Sequence, residues 1–414
     1  MSTKRSVEET GTSDLKKSKT NDYTEVNRYS GWTVPSNNYQ LPTIDIENIT
    51  PEQFYNTYVQ NRRPIVIQGI PPDLSKLKSW DNCHLNKKAG DQTVSVERRS
   101  NTSDGYGKGN EIRMKFSQFI SLVQNEDNLH YLTTQDVPSD DNGRPDILPD
   151  FMKALSDDFP IQPKLTGNLI PQNINLWMGN STNFAGASSG LHHDYHDNLY
   201  VVLKGRKRFR LFSPMDTQYL YTRGELLQVH PNGRINYTGE ETTAYGTDIG
   251  ADAAAKAAMR QKRAEERLQE AERGVEEGKD GAIEELAEAE EELESAMDAL
   301  IDAEQENDDD TGIDDDNQNC EIFDGHQKRL VDKTVKNPNN FSKIPVEMLE
   351  DTSKARQEYP NLQRATMAYC NIKSGDMLYL PASWFHEVWF MTLLFNLFRV
   401  LIMTCIEPGD FLWH

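Results

Sequence analysis

The chain has few cysteines and fewer basic than acidic residues, and each shortage limits the classes of protein to which the chain can belong. Its 414 residues include four cysteines, which lie far apart and form no Cys-x-x-Cys pair: Cys83, Cys320, Cys370 and Cys405. This pattern argues against a zinc ribbon or zinc finger and, with the lack of an N-terminal signal peptide, predicts a reducing intracellular compartment. Lysines and arginines number 44 against 66 aspartates and glutamates, so the formal net charge is −22.

The excess negative charge is local. Residues 251–316 contain 25 acidic and 7 basic residues, a net of −18, which leaves −4 for the rest of the chain. Because only 36% of the residues are hydrophobic, much of the chain does not belong to a core. We therefore expect a nearly neutral main domain that is interrupted by an acidic insert at 239–339.

The centre of this insert has the composition of helices, because Ala, Glu, Lys, Arg and Leu dominate it. Gly274, Gly278 and Gly281 divide an earlier helix from a later one, which predicts a helical hairpin. Such an acidic surface could attract a basic protein, for example a histone tail or a ribosomal protein, or could serve only to keep an expanded loop soluble. The later helix has a heptad-like spacing of apolar residues that is typical of a coiled coil: Ile283, Leu286, Leu293, Met297 and Leu300.

The first forty residues are polar and lack apolar periodicity, so a disordered tail is expected at 1–40. Two basic clusters, at 4–5 and 16–19, are separated by ten residues and resemble a bipartite nuclear import signal. This favours a location in the nucleus, with a plain flexible tail on a cytoplasmic protein as the alternative. The basic segment is too small to predict direct nucleic acid binding.

The most informative stretch alternates histidines and carboxylates in a strand-like segment. Side chains alternate faces along a strand, so His192, Asp194, His196 and Asn198 are expected to share one face, whereas His193 points the other way. The first two have the spacing of metal ligands. The two other histidines are expected to be structural or to line a substrate groove.

A second segment, at 375–388, is an apolar strand that leads through a Pro turn to His386. With His192 and Asp194 it supplies two histidines and one carboxylate. Fe(II) oxygenases use this donor set to hold the metal on one side and leave positions open for O2 and a co-substrate. Catalytic zinc is the alternative, although zinc hydrolases often carry both histidines on one helical turn, a pattern that this sequence lacks.

An Fe(II) oxygenase that uses 2-oxoglutarate needs a cation for the far carboxylate of that acid, and Lys207 is the candidate. Alternate positions of the segment 206–212 share a face, so Lys207 is the single charge beside Phe209 and Leu211, while the neighbouring arginines are expected to point outward. The spacing alone leaves a solvated basic strand as an equal alternative.

These segments, in this order, resemble the JmjC family of cupin-type Fe(II)- and 2-oxoglutarate-dependent oxygenases, specifically its small JmjC-only branch of protein hydroxylases and demethylases. The resemblance implies that His192, Asp194 and His386 are the catalytic metal ligands, that the metal is Fe(II), that 2-oxoglutarate is the co-substrate and that O2 is the oxidant. It also extends through other segments, at 44–46, 51–54, 63–69, 114–119, 130–132 and 175–180. It further implies a set of residues that contact 2-oxoglutarate: Lys207, Tyr131, Ser189 and Asn198.

The resemblance implies a mainly β fold, a double-stranded β-helix of the cupin or jelly-roll type, with an α/β N-terminal region and a helical acidic insert. We expect the N-terminal region and the first half of the barrel within 41–238, and the second half at 340–414.

The C-terminus departs from the family pattern, because 388–406 is almost unbroken hydrophobic sequence in which only Asn396 and Arg399 are strongly polar. Closing strands of the barrel with an irregular joint are favoured over a tail anchor, since Arg399 would lie near the middle of a membrane span. Asn396 would then replace the polar residue that the family places in the closing strand.

The implied activity is the oxidation of a protein substrate, by side-chain hydroxylation or by N-methyl demethylation of a histone or another protein. The lack of a zinc-finger reader module favours a protein hydroxylase, whereas the nuclear-like tail favours a demethylase. Two alternatives from other classes stay open. One is an inactive JmjC fold that serves as a scaffold through its acidic insert, and the other is a metal-containing cupin that binds a sugar or another small molecule.

Overall fold

The structure, a computed structural model, describes residues 26–101, 109–139, 146–180, 188–308, 320–324, 327–331, 338–350, 352–391 and 401–407. Its strands are β1 (Tyr39–Gln40), β2 (Thr43–Asp45), β3 (Ile65–Gln68), β4 (Thr93–Arg98), β5 (Asn110–Lys115), β6 (His130–Leu132), β7 (Ile170–Leu176), β8 (Met178–Gly179), β9 (Asp197–Val202), β10 (Arg206–Phe212), β11 (Leu226–Val229), β12 (Ile235–Tyr237), β13 (Cys320–Asp324), β14 (Gln327–Val331), β15 (Met367–Lys373), β16 (Asp376–Leu380), β17 (Phe385–Met391) and β18 (Leu401–Glu407). Its α-helices are α1 (Pro51–Phe54), α2 (Asn82–Ala89), α3 (Phe116–Gln124), α4 (Asp150–Lys153), α5 (Ile249–Glu276), α6 (Ala282–Asp308), α7 (Val346–Glu350) and α8 (Thr352–Glu358).

Two sheets face each other and enclose one core, as in a β-sandwich. One sheet has six strands in the order β2-β3-β16-β9-β18-β7, and the other has four in the order β1-β15-β10-β17. Apart from β2 and β3, neighbouring strands in both sheets are far apart in the sequence, so each sheet is assembled from both halves of the chain. The prediction of a mainly β fold is confirmed.

Alternation along the strands decides which side chains enter the space between the two sheets. Tyr200 and Val202 of β9 point into it from the six-stranded sheet, and Phe209 and Leu211 of β10 enter it from the four-stranded sheet. In the antiparallel register, Leu211 lies opposite His386, and the interior face of β10 therefore continues into the interior face of β17.

The outer face of the six-stranded sheet packs against the α/β N-terminal region. Leu199 and Tyr379, which alternate with the inward residues, join a second core that includes Phe116 and Phe119 of α3. Helix α3 forms because its apolar residues recur at helical spacing, so that one face is buried. A smaller sheet, in the order β5-β4-β6-β8, adds Val96 to the same core.

Two long helices, α5 and α6, follow β12 and precede β13 in the sequence, and they pack against each other. Asp248 begins α5 by accepting a hydrogen bond from the backbone N–H of Ala251 at 3.0 Å. The turn between the helices contains Gly278 and Gly281, whose positive φ angles of 68° and 84° are accessible to glycine at little cost. The boundaries 239–339 of the acidic segment stay a prediction.

The hydrophobic C-terminal stretch contributes strands to both sheets. Strand β17 is at the edge of the four-stranded sheet, and β18 pairs with β9 and β7 in the six-stranded sheet. The register of β18 against β7 shifts between Cys405 and Ile406. The expected irregular joint between the closing strands stays a prediction. Within the described residues, no helix is both long and apolar enough to cross a membrane. Asn396 lies outside the described residues.

Candidate metal centre

The three predicted metal ligands converge in the structure. One ligand atom from each of His192, Asp194 and His386 lies within 4.8 Å of the others. Two backbone hydrogen bonds hold the segments together, because the N–H of His192 donates to the carbonyl of His386 at 3.0 Å and the N–H of His386 donates to that of His192 at 2.6 Å. The local pairing of two distant segments therefore sets the separation of the two imidazoles.

The first ligand segment is not the continuous strand that the sequence predicted. Strand β9 begins only at Asp197, and His192 makes isolated bridges to Phe341 and His386. Strict alternation therefore does not place His192 and Asp194 on one face. They are brought together by a loop whose shape is held by contacts such as the 2.7 Å hydrogen bond from the Ser383 N–H to the Asp194 carbonyl.

Both histidines are oriented for metal binding. The Nδ1 of His192 lies 3.0 Å from the carbonyl of Gly190, and the Nδ1 of His386 lies 3.0 Å from the carbonyl of Trp384. A hydrogen bond donated from Nδ1 to a carbonyl places the proton there and leaves the lone pair on Nε2, which is how metal-bound histidines are commonly oriented.

The ionisation states of the donor groups also suit a metal. Burial and, to a smaller extent, the neighbouring His192 lower the pKa of His386 to about 4, so the imidazole is neutral at pH 7. Burial alone would raise the pKa of Asp194, but the nearby His386 and His192 and a hydrogen bond from Tyr200 bring it below its ordinary value. Two imidazoles and one carboxylate fit the donor set of a non-haem Fe(II) site.

Asp194 has two hydrogen-bonding partners from β9. The Nδ2 of Asn198 donates to Asp194 Oδ2 at 3.0 Å, and the hydroxyl of Tyr200 donates to the same oxygen at 3.3 Å. Asn198 therefore orients the carboxylate of Asp194, while its contact with 2-oxoglutarate stays a prediction. Tyr200 was not predicted as a site residue, although it shares the strand parity of Asn198 and that signal could have identified it.

Asp197 connects the two ligand-bearing segments. Its Oδ1 accepts a 2.7 Å hydrogen bond from the backbone N–H of Ala382, in the turn before the third ligand, and its Oδ2 accepts one of 2.7 Å from the hydroxyl of Tyr379. Arg62 forms an ion pair with the same carboxylate at 2.8 Å, and both side chains are buried. Because Asp197 is the first residue of β9, this network holds the turn that precedes His386 against the strand that follows Asp194.

Asp197→Asn is expected to lower the free energy of unfolding by about 3 kcal/mol, because removing one charge of a buried ion pair leaves the other uncompensated. It is also expected to weaken Fe(II) binding about 10-fold, since residues that position ligands have effects of that size. Urea denaturation and metal titration measure the two effects.

Asp146→Asn is the matched control, because Asp146 pairs with Lys153 at 2.9 Å on the surface, where both side chains are more than 40% exposed. An exposed pair contributes less than about 1 kcal/mol. If Asp197→Asn unfolds at the same urea concentration as this control and binds Fe(II) normally, Asp197 does not position the ligands.

Lys207 lies on the interior face of β10, as predicted, and its side chain is buried at 3% exposure. It pairs across the strands with Phe390 of β17 and Ile372 of β15, on the side of the sheet that also carries His386. Its ammonium group is close enough to lower the pKa of His386. Tyr131 of β6 is buried in the same core, so both predicted 2-oxoglutarate contacts border this interior.

Ser189 is bonded to the backbone. Its hydroxyl donates to the carbonyl of Gly190 at 3.0 Å and accepts from the N–H of Val388 at 3.0 Å, which ties the loop before the first ligand to β17. Its contact with 2-oxoglutarate stays a prediction.

His193 is fully buried in the core beside Tyr237, whose hydroxyl lies 2.8 Å from its Nε2, in agreement with the structural role expected for it.

The expectation that the arginines of β10 all point to solvent is wrong for Arg210. Its guanidinium is buried and forms ion pairs with Glu387 at 2.5 Å and with Glu350 of α7 at 2.6 Å. Glu387 also accepts a 2.7 Å hydrogen bond from the hydroxyl of Ser188. The outer face of β10 is therefore covered at Arg210, where the guanidinium and the buried Glu387 carboxylate compensate each other's charge.

Comparison with known proteins agrees with this geometry. A family model described as a cupin-like domain matches residues 51–398. The chain belongs to the cupin-like JmjC family. Members of this family are typically Fe(II)- and 2-oxoglutarate-dependent oxygenases that act on proteins.

Three relatives illustrate the similarity. The chain is 36% identical over 230 residues to JmjC domain-containing protein 4 of Schizosaccharomyces pombe, which covers 52% of this chain and 48% of that protein. It is 27% identical to human bifunctional peptidase and (3S)-lysyl hydroxylase JMJD7, over 41% of this chain and 54% of the relative. It is also 27% identical to lysine-specific demethylase 8 of Xenopus tropicalis, over 44% of this chain and 40% of that protein. The chain spans about half the length of the curated relatives it matches.

Proposed function

We propose that this cupin-like chain is an Fe(II)- and 2-oxoglutarate-dependent dioxygenase that acts on a protein substrate. The observation that carries the proposal is the convergence of His192, Asp194 and His386, with the Nδ1 atoms of both imidazoles within hydrogen-bonding distance of backbone carbonyls. Iron held by these residues would supply the oxidising power that couples the conversion of 2-oxoglutarate, with O2, into succinate and CO2 to oxidation of a C–H bond.

Each buried group around the triad has a separate task in this proposal. Lys207 binds the far carboxylate of 2-oxoglutarate, because a buried ammonium on an apolar face is stabilised by an anion. Tyr131 and Ser189 supply hydroxyl groups to the same co-substrate. Asn198 and Tyr200 keep the carboxylate of Asp194 in place through its Oδ2 atom. The apolar residues between the sheets exclude water from the reacting groups.

The proposed substrate is a side chain of another protein. Two of the relatives are named as a lysyl hydroxylase and a lysine-specific demethylase. Both outcomes arise from one oxidation. An oxygen atom placed on a side-chain carbon remains there as a hydroxyl, whereas an oxygen atom placed on an N-methyl carbon leaves with that carbon as formaldehyde.

Turnover of a peptide array by the iron-loaded chain tests the proposal and separates the two outcomes. We expect a subset of peptides to change mass only when Fe(II), 2-oxoglutarate and O2 are all present. A gain of one oxygen atom identifies hydroxylation, and loss of a methyl group with release of formaldehyde identifies demethylation. Asp194→Ala is the control. If it modifies the same peptides as the parent chain, the proposed site does not carry the activity.

A further inference from the structure

Helices α5 and α6 are joined by an alanine seam. The seam consists of buried alanines that recur every seven residues, so small side chains let the two backbones approach closely. An ion pair between Arg267 and Glu292, and a hydrogen bond of 3.3 Å from Arg260 to Ser295, show that the helices run antiparallel. The members of the seam are Ala257, Ala264 and Ala271 on α5, and Ala282, Ala289 and Ala296 on α6.

The expected heptad of larger residues is not the contact between the helices. On each helix, the residue four positions after a seam alanine lies on one side of the seam, and the residue three positions after that alanine lies on the other side. In an antiparallel pair, the same heptad position of both helices falls on the same side. The polar side carries Arg260, Arg267 and Glu292, which bond across the seam. The opposite side, called here the apolar face, carries Leu268, Val275, Leu286, Leu293 and Leu300, with Ile283 and Met297 beside them.

The apolar face is open to solvent. Ile283 is 77% exposed, Met297 is 47% exposed and Val275 is 38% exposed, while the four leucines are half-buried. Among the described helices and strands, α5 and α6 pack extensively only on each other. A row of half-buried and exposed apolar side chains on one side of a hairpin is typical of a helix-binding surface.

The charges beside the apolar face indicate what would cover it. Glu265 and Glu272 border it on α5, and Glu290 borders it on α6, all of them exposed. This side of the described hairpin is formed by the residues one and four positions after each seam alanine, and none of those residues is a lysine or an arginine. A second copy of the chain would place carboxylates against carboxylates, which is unfavourable, whereas a helix with an apolar stripe between lysines or arginines would match both features.

We propose that the apolar face of the α5–α6 hairpin binds a cationic amphipathic helix of a partner protein. The leucine row accepts the apolar stripe of that helix, and the bordering glutamates pair with its basic residues. This docking surface lies on the hairpin and involves none of the residues of the metal centre, so it does not depend on the proposed function.

The test uses the full chain and a synthetic helical peptide of leucine and lysine whose leucines recur at helical spacing, with a scrambled peptide of the same composition as its control. Fluorescence anisotropy measures the dissociation constants. The double variant Ile283→Gln with Met297→Gln removes two exposed apolar side chains without changing the charge. Met259→Gln is the matched control, because Met259 is 59% exposed on the back of α5.

We expect the double variant and the scrambled peptide each to weaken binding by about 10-fold or more, since each removes apolar contact area between the peptide and the apolar face. Met259→Gln should change the affinity less than about twofold, and helicity measured by circular dichroism should be the same in all variants. Equal binding of the helical and scrambled peptides, or equal binding by the parent and the double variant, would overturn the proposal. A concentration-dependent dimer that only the double variant abolishes in sedimentation would also overturn it, because a second copy would then cover the face.

Discussion

Alanine substitution of His192, Asp194 or His386 is expected to reduce Fe(II) affinity by far more than about 100-fold, because loss of even an outer positioning residue costs 10–100-fold at metal sites. Turnover of 2-oxoglutarate should fall with it. The ligand atoms lie within 4.8 Å of one another, so no remaining pair reproduces the donor set. Iron content per chain after anaerobic loading and gel filtration measures the first effect, and succinate release measures the second.

The fold is expected to survive these substitutions. Circular dichroism spectra of the metal-free variants should match that of the parent, because the sandwich core lies between the sheets and does not require the metal. His84→Ala is the control, since His84 bonds Asp158 on the N-terminal side of the molecule, outside the triad. If Asp194→Ala keeps a full complement of iron and full turnover, the triad assignment is wrong.

Lys207→Met is expected to raise the Michaelis constant for 2-oxoglutarate by about 30-fold or more, because loss of one partner of a buried charge pair costs about 2–5 kcal/mol. Methionine fits the apolar interior beside Phe209 and Leu211, so the barrel should remain folded. Iron affinity should change little, since the ammonium group is not a metal ligand. Initial rates of succinate formation at varied 2-oxoglutarate concentration measure the effect.

Arg206→Met is the matched control for this substitution, because Arg206 begins the same strand and is exposed. It should leave the Michaelis constant for 2-oxoglutarate within about twofold of the parent value, as expected for an exposed charge. If Lys207→Met titrates with 2-oxoglutarate like this control, the co-substrate pocket lies elsewhere in the sandwich.

The candidate metal ligands were predictable because they have local signals: a His-x-Asp pair and a histidine after a Pro turn. Lys207 was placed correctly because β10 is a regular strand, where parity decides which side chains face inward. The same parity argument does not apply to His192 and Asp194, because they precede the strand, which begins only at Asp197. There the loop obtains its shape from distant segments, and local alternation does not describe it.

The supporting residues were not predictable from one sequence because their partners are far away in the chain. Asp197 bonds the hydroxyl of Tyr379, which is 182 residues distant, and Arg210 bonds Glu387, which is 177 residues distant. A buried charge and a surface charge look alike in a sequence, and only the packed neighbours distinguish them. The alanine seam was missed for a related reason, since large apolar residues gave the stronger periodic signal although small ones form the contact.

Succinate formation by the purified chain, measured with and without Fe(II) at saturating 2-oxoglutarate and O2, tests the central claim most directly. Even without a known substrate, slow uncoupled turnover should produce succinate. The account predicts that succinate and CO2 form in equal amounts, that chelation of iron stops their formation and that Fe(II) restores it, while Asp194→Ala forms neither product. A chain that carries one iron per molecule and yet consumes no 2-oxoglutarate, in the presence or absence of a peptide library, would contradict the account and favour an inactive scaffold with a JmjC fold.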